Sequence, residues 1–471
     1  MSLCQPISET QPGQGEGVSA IERYANHGPR QNEFLRTLFS LLHEHQIRYC
    51  VLHSWEGLPD KLPTDLDLAV HPGDRTTLPF VFQELHDKGY RLVQCLNYFA
   101  QAYYFVFAWS EDDALKCLPV DVIFEHRRSG LISLSGEELI AGRRRFDEFW
   151  VASPATEFVY LLAKKTWKKS VHPPQVQRLK LLVETLGRPQ AEKLAGKVFV
   201  GKLKAEVVEA CVNGSLERGL ARIGGRPWRT SLLRYPLGLV RFLFGEALRV
   251  VRRCLQPTGL FLVVLGPDGA GKSTLVGQIS QACGACFRRQ RIFHWRPMVI
   301  LPQKETGAQV TSPHAKPPHG KLGSVAALFL IFLDYWLGYL LVLRPFLTRS
   351  GLILFDRYFP DLLVDPLRYR YGGPMWLPKF LSRFVPLPDL LLVLLDPQSE
   401  VILSRKREVA LEELRRQQAS YRLFAEQNEK ARLIEVDQGV ERTVGEASRC
   451  VVEHLAGRFE RCNSRWLAAL R

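Results

Sequence analysis

The stretch Leu260-Phe-Leu-Val-Val-Leu-Gly266-Pro-Asp-Gly-Ala-Gly-Lys-Ser273-Thr274-Leu275 decides the fold of the carboxyl-terminal half. Six consecutive apolar residues, entered from the break Pro257-Thr258-Gly259, predict a strand buried on both faces. Gly266 to Ser273 satisfies G-x-x-x-x-G-K-[ST] and leads into a helical pattern. Glycines at these places let the main chain wrap round phosphates, with several N–H groups and a helix N-terminus facing the anion. In that arrangement Gly266, Asp268, Gly269, Ala270, Gly271, Lys272, Ser273 and Thr274 cradle a nucleoside triphosphate. Lys272 bridges its β- and γ-phosphates, and Ser273 sets a hydroxyl on Mg²⁺. The motif leaves the destination of the γ-phosphate open.

Further along, the apolar run Leu352 to Phe355 ends in Asp356-Arg357-Tyr358, so Asp356 and Arg357 emerge at the carboxyl end of a strand, where open α/β sheets bind ligands. Leu390 to Leu395 and Leu433 to Val436 are further buried-strand candidates. Strands alternating with helical stretches predict an α/β fold, a three-layer parallel sheet spanning 256–471.

Asp268 inside the loop, together with Asp356-Arg357-Tyr358, resembles the thymidylate kinase group of nucleoside monophosphate kinases. In that group the loop reads G-x-[DE]-G-x-G-K-[ST] and a later strand ends in Asp-Arg-Tyr. The likeness runs from Thr258 to about Leu455. Pro388-Asp389 and Asp396-Pro397 resemble the flanks of the group's fourth strand. Ser404-Arg-Lys-Arg-Glu408, with Arg415, Arg416 and Tyr421, is similar to its mobile lid, and Val436-Asp437-Gln438-Gly439 stands where the group has a loop near adenine.

The resemblance implies catalytic roles for Lys272, Asp356, Arg357, Arg405 and Arg407, with ATP and Mg²⁺ as cofactors. Asp356, beside Ser273, would organise the metal shell or the acceptor, Arg357 would clamp an acceptor phosphate, and the lid arginines would neutralise the transferring group. The acceptor implied is thymidine monophosphate or a related nucleotide or sugar-phosphate. The chain departs from the group at His294-Trp295-Arg296-Pro297, where Arg-Glu-Pro is usual, and across Phe359 to Gly372, where residues that seat thymine are replaced.

In the amino-terminal part, Thr64-Asp65-Leu66-Asp67-Leu68 alternates acidic and apolar residues, so Asp65 and Asp67 project from one face of a strand about 7 Å apart. Asp121, in Leu118-Pro-Val-Asp-Val-Ile-Phe124, alternates in the same way and is expected on a neighbouring strand. Carboxylates so placed can share a divalent metal. The three acids resemble the nucleotidyltransferase fold of the DNA polymerase beta type, which implies metal ligation by Asp65, Asp67 and Asp121 and nucleotidyl transfer as an alternative function. His53-Ser54 stands where that family has a Gly-Ser turn, and a histidine does not allow the same close approach of the backbone. A non-catalytic ATP-binding module is the third reading.

The expected organisation is a disordered tail over 1–32, a nucleotidyltransferase-like α/β domain over 33–150, a helical domain and linker over 151–255, and the P-loop domain over 256–471. Across 471 residues, 63 Lys and Arg against 48 Asp and Glu give a net charge of +15, which favours anionic partners. A specific nucleic-acid partner is not expected, because no helix-turn-helix, zinc finger or stacking platform accompanies the charge. Ten scattered cysteines and a start without a signal-peptide pattern point to the reducing cytoplasm.

Ser324 to Leu343 carries one charge, Asp334, over a length sufficient to cross a bilayer. A crossing would divide Lys272 from Asp356, so a buried helix is expected instead, with Asp334 toward the acceptor pocket. Leu232 to Arg253 reads as a packed linker helix with a solvated basic face, and peripheral contact with an anionic membrane is its alternative. A homodimer stays open.

Overall fold

The computed structural model describes residues 28–62, 65–99, 101–111, 114–128, 131–168, 171–216, 236–300, 317–396, 411–436 and 439–470. Its front half is built on β1 (Tyr49–Val51), β2 (Leu66–Val70), β3 (Arg91–Phe99), β4 (Ala102–Glu111), β5 (Ala114–Ile123), β6 (His126–Arg128), β7 (Leu131–Leu134), β8 (Arg144–Phe146) and β9 (Phe149–Val151). Seven of these form a mixed sheet in the order β3-β4-β5-β2-β1-β9-β8, while β6 and β7 pair separately. Strand β2 runs parallel to β5 and antiparallel to β1.

The period-2 alternation works as expected along β2. Leu66, Leu68 and Val70 face one core with the helices Pro29–Glu44 and Leu78–Asp87, and Ala69 faces the other. Phe34 anchors the first core against Tyr90, Phe107 and Trp109. The first helix begins at Pro29, inside the stretch expected to be tail. Proline occupies its first turn, where the missing N–H costs no bond. The rest of that tail, 1–27, lies outside the described residues.

The segment 151–255 does not behave as one helical unit. Phe158, Leu162, Leu179 and Val207 share a core with Cys50 and Ala69 of the front sheet, whereas the helix Pro236–Leu255 bridges both halves, Arg249 donating to the Asn97 carbonyl of β3 and its last carbonyls accepting from Arg344.

That half carries five parallel strands, β10 (Leu260–Leu265), β11 (Arg289–His294), β12 (Gly351–Asp356), β13 (Leu390–Leu395) and β14 (Ala431–Glu435). Their order is β11-β12-β10-β13-β14. The chain passes from β12 on one side of β10 to β13 on the other, so the carboxyl end of β10 is a topological switch point, and the glycine-rich loop emerges there. Every residue of β10, β12 and β13 is buried, as continuous apolar runs require when helices cover both faces. Leu260, Leu262 and Val264 face the helices Lys272–Gly284 and Val440–Leu470. Phe261, Val263 and Leu265 face Leu328, Tyr335 and Tyr421 on the other side.

The two halves meet across the first of these faces. Val93, Val106 and Ala108 of β3 and β4 join the core of Leu275, Ile279, Val451 and Leu455, and Cys117 Sγ lies 2.7 Å from Cys286 Sγ.

Two helices depart from expectation. In Lys321–Gly338 the buried residues are Ser324, Leu328, Asp334, Tyr335 and Gly338, and much of the apolar remainder is exposed, so it is not a buried helix. In Pro236–Leu255, Arg249 and Arg253 turn inward to Asn97 and Ser350 while Arg252 stays exposed, so the basic residues do not share one solvated face; the two inward guanidiniums find fixed acceptors on the protein that the apolar side chains cannot use.

Candidate active site

Gly266 leaves β10 with φ +143°, and a Cβ there would lie 2.5 Å from the Leu394 carbonyl oxygen of the adjacent strand. Only glycine fits the turn. Gly269 and Gly271 also take positive φ, and the helix Lys272–Gly284 starts at once. Lys272 folds back over the loop, its ammonium donating to the carbonyls of Gly266 at 2.8 Å and Pro267 at 2.7 Å.

Asp356 closes β12 next to β10, so the register sets it beside the loop. Ser273 Oγ donates to Asp356 Oδ2 at 2.5 Å. The other carboxylate oxygen, Oδ1, is buried without a hydrogen-bond partner. Burial pushes the Asp356 carboxyl up, but the His294 imidazole 3.7 Å away, the Lys272 charge and the Ser273 hydroxyl outweigh it and bring it down to about 2. A charged oxygen with unused lone pairs beside a serine hydroxyl is a donor set that suits a hard divalent cation.

Three cations converge on one anion in the loop. Asp268 receives the guanidiniums of Arg357 and Arg368, with Lys272 Nζ at 3.5 Å. Arg357 takes a positive φ of 76° and is held by its N–H on the Val264 carbonyl. Behind Asp268 lies a narrow pocket lined by Arg357, Asp361, Asp365, Tyr369, Gln417 and Tyr421. Asp361 is fully buried, which raises its carboxyl, and Tyr421 donates to it. Trp295 stacks on Tyr369 with ring centroids 4.3 Å apart, giving the pocket an aromatic wall.

The loop bearing Trp295 is held by Asp334. This carboxylate accepts from the backbone N–H groups of Met298, Val299 and Ile300 and from Arg296. Asp334 therefore faces the His294–Pro297 loop as its positioning group and is not among the residues that line the pocket behind Asp268, contrary to the expected direction. Gly338, one turn on, lets Pro297 pack against the helix, since a Cβ there would sit 2.3 Å from the proline ring.

Lys272, Ser273, Asp268, Asp356 and Arg357 thus come together, with Ala270 buried under the loop and Thr274 on the first turn of the helix. Arg405, Arg407 and the rest of the Ser404–Glu408 segment lie outside the described residues, as do Asp437 and Gln438. Within the lid-like region, Arg416 is committed to Glu413 and the Val364 carbonyl, while Tyr421 enters the pocket. Sequence reasoning missed Asp361, Asp365, Arg368, Tyr369 and Gln417, which sit in irregular chain or on a helix where no spacing marks them.

The front acids form a second cluster. Asp67 and Asp121 are paired across β2 and β5, Asp65 stands just before β2, and the three offer oxygens within 4.8 Å of one another. The three acids are joined by three other side chains. Lys164, from the helix Pro154–Lys168, donates to both oxygens of Asp67 at 2.6 and 2.8 Å, and Tyr160 donates at 2.7 Å. His53 Nε2 lies 2.8 Å from Asp67 Oδ2. Burial would raise the Asp67 carboxyl, but the charges of Lys164 and His53 hold it well below the usual range. Asp67 is saturated, so a divalent ion there would have to displace the Lys164 ammonium. The cleft around these acids also takes Arg127, Lys168 and, from the other half, Arg288.

With this geometry in place, comparison with known proteins gives a partial answer. No family model matches the chain. The thymidylate kinase of Xanthomonas euvesicatoria pv. vesicatoria is 28% identical over 142 residues, 30% of this chain and 58% of that protein. About 30% of this chain is similar to thymidylate kinases. The Xanthomonas oryzae pv. oryzae enzymes are likewise 28% identical, over 144 residues and 57% of their length, so the chain spans somewhat over half of the curated relatives it matches. Among solved structures, the thymidylate kinase of Candida albicans aligns over 41% of this chain and 91% of its own at 14% identity, with a TM-score of 0.31. That of Ehrlichia chaffeensis aligns over 41% and 98%, also at 14% identity, with a TM-score of 0.30.

Proposed function

We propose that the carboxyl-terminal half is a cytoplasmic kinase that transfers the γ-phosphoryl group of ATP to a nucleoside monophosphate or a closely related phosphorylated acceptor. The observation that carries this reading is the meeting of Lys272, Ser273 and Asp356, with one Asp356 oxygen buried and unbonded, beside the Asp268–Arg357–Arg368 clasp.

Ser273 and Asp356 would hold Mg²⁺, which supplies neutralisation of β- and γ-phosphate charge. Lys272 exchanges the carbonyls of Gly266 and Pro267 for phosphate oxygens. Arg357 and Arg368, now bonded to a carboxylate, are placed to grip the acceptor's phosphate in its stead, since guanidinium suits both anions. The Trp295–Tyr369 stack offers a flat apolar face to a base. Phosphoryl transfer depends mainly on such positioning and charge stabilisation. The altered residues at 294–297 and 359–372 make a thymine-bearing acceptor one member of the panel to test.

The deciding experiment is an acceptor screen with labelled ATP over nucleoside monophosphates and sugar phosphates, using the whole chain. Label should appear on one acceptor class, and Lys272→Ala should abolish transfer while unfolding at the same temperature. Tight ATP binding without transfer to any acceptor would instead make this half a nucleotide-binding module. The mutual approach of Asp65, Asp67 and Asp121 favours a second reading, nucleotidyl transfer by the front half. Pyrophosphate release that is unchanged in Asp67→Asn would remove it.

A further inference from the structure

The two helices that the expected pattern misplaced share one peculiarity: each turns several of its polar groups inward and a row of its apolar groups out. In Pro236–Leu255, Arg249 reaches the Asn97 carbonyl and Arg253 the Ser350 hydroxyl, while Glu246 is bonded to Arg249. Its outer face presents Leu237, Val240, Phe244, Leu248, Val251 and Leu255, all exposed, with Leu237 at 85% and Phe244 at 73%. These recur every three or four residues, which makes a continuous stripe along the helix. In Lys321–Gly338 the inner face holds Ser324, which donates to the His319 carbonyl, the buried Asp334 and Tyr335. Outside it presents Leu322, Phe329, Leu333 and Trp336, continued by Leu340 and Leu341.

The helices are joined where Arg344 donates to the carbonyls of Cys254 and Leu255, so Leu255, the last residue of one stripe, lies beside the segment that continues the other through Leu340 and Leu341. An exposed apolar area of this size needs a cover. The acids of both helices, Glu246 and Asp334, are turned toward the protein. The exposed charges near these segments in the chain are cations instead: Arg252 lies on the first helix and Arg349 just past the second, and the edge strand β11 adds exposed Arg289 and Arg291, the latter near the Phe346 ring.

A span is excluded by the fold. The stretch Lys321–Thr348 is long and apolar enough to cross a membrane, yet it is the crossover between β11 and β12, which pair in parallel in one sheet. The Ser273–Asp356 bond likewise joins residues on either side of it.

We propose that this paired face seats the protein on the surface of an anionic lipid bilayer, with the apolar stripes in the headgroup and acyl boundary and the arginine fringe on acidic headgroups. Charge selects lipid over a second copy of the chain: two molecules of net charge +15 would bring basic fringes together, whereas an anionic surface neutralises them. The proposal stands independently of the kinase reading.

The test is cosedimentation of the whole chain with vesicles of phosphatidylcholine alone or mixed with phosphatidylglycerol. Binding should need phosphatidylglycerol and weaken with salt. Phe244→Ser with Val251→Ser, both on exposed positions, should lower partitioning by roughly tenfold or more, with the unfolding temperature and ATP turnover in solution unchanged. Absence of vesicle binding, or binding unaltered in the double variant, overturns the proposal. So does a dimer in analytical ultracentrifugation that the same variant dissociates while vesicles are ignored, because the face would then belong to a second copy.

Discussion

Lys164→Met removes the cation that saturates the front carboxylate. Asp67 is 1% exposed at its side chain and Lys164 11%, and both Asp67 oxygens receive the ammonium. Deleting Lys164 leaves the buried carboxylate with only His53 and the Tyr160 hydroxyl against it, and breaking a buried pair in this way costs about 3–5 kcal/mol. For a cooperative unit of this size each kcal/mol lowers the melting temperature by about 2–4 °C, so the front transition should fall by about 6–20 °C. Adding Asp67→Asn to that variant removes the stranded charge and should recover at least about 2 kcal/mol, a coupling readable in a double-mutant cycle.

The pH dependence has a definite sign. In the native protein Asp67 sits below its usual value of 3.8, so the pair stabilises the fold above that value and the benefit is lost on acidification. In Lys164→Met only His53 and the Tyr160 hydroxyl still oppose burial, so the same carboxyl rises from its native value. The deficit is then largest at neutral pH and shrinks as the pH falls toward 4, because a protonated Asp67 carries no charge to strand. Scanning calorimetry across this range checks both statements. A melting point within about 2 °C of the parent, or additive single variants, would refute the structural role assigned to the pair.

Two further predictions concern the P-loop half. With its carboxyl at about 2 against a usual 3.8, Asp356 contributes about 2 kcal/mol of stability that is present above pH about 4 and lost as the pH falls to about 2; urea unfolding of Asp356→Asn and the parent should therefore differ at neutral pH and converge in acid, and the variant should lose phosphoryl transfer. Gly266→Ala places a methyl 2.5 Å from the Leu394 carbonyl, so ATP affinity measured by calorimetry should drop with a stability loss of more than about 1 kcal/mol, whereas retained affinity would mean that β10 and β13 can part at no cost.

The parts of this architecture that were legible in sequence are those whose signals are local. A six-residue apolar run, a fixed glycine and lysine spacing and an acid at a strand end need only neighbours along the chain, so β10, β12, β13 and the approach of Asp356 to Ser273 follow from pattern. The pairing of Asp67 with Asp121 follows from alternation on two strands. Lys164 was beyond reach because it arrives from a helix almost a hundred residues later, and helical period does not say which of Lys164, Lys165 and Lys168 points inward. Arg368 and Tyr369 lie in irregular chain, where conformation is set by packing. The two inside-out helices show a different limit: period separates two faces of a helix but does not say which one meets the protein. The signal available was Ser324, Asp334 and Gly338 falling together on one side of an otherwise apolar run.

The seam between the halves has a practical consequence for anyone who would cut the gene in two. The helix that opens with Lys272 shares a core with Val106 and Ala108 of the front sheet, and Val440–Leu470 rests on β3 and β5. Scission near residue 256 would leave a greasy wound on each fragment, one on the backs of β3 and β4 and one along Leu275, Ile279 and Val451. Fragments made that way are expected to clump unless co-expressed, so assays on either half belong in the intact polypeptide.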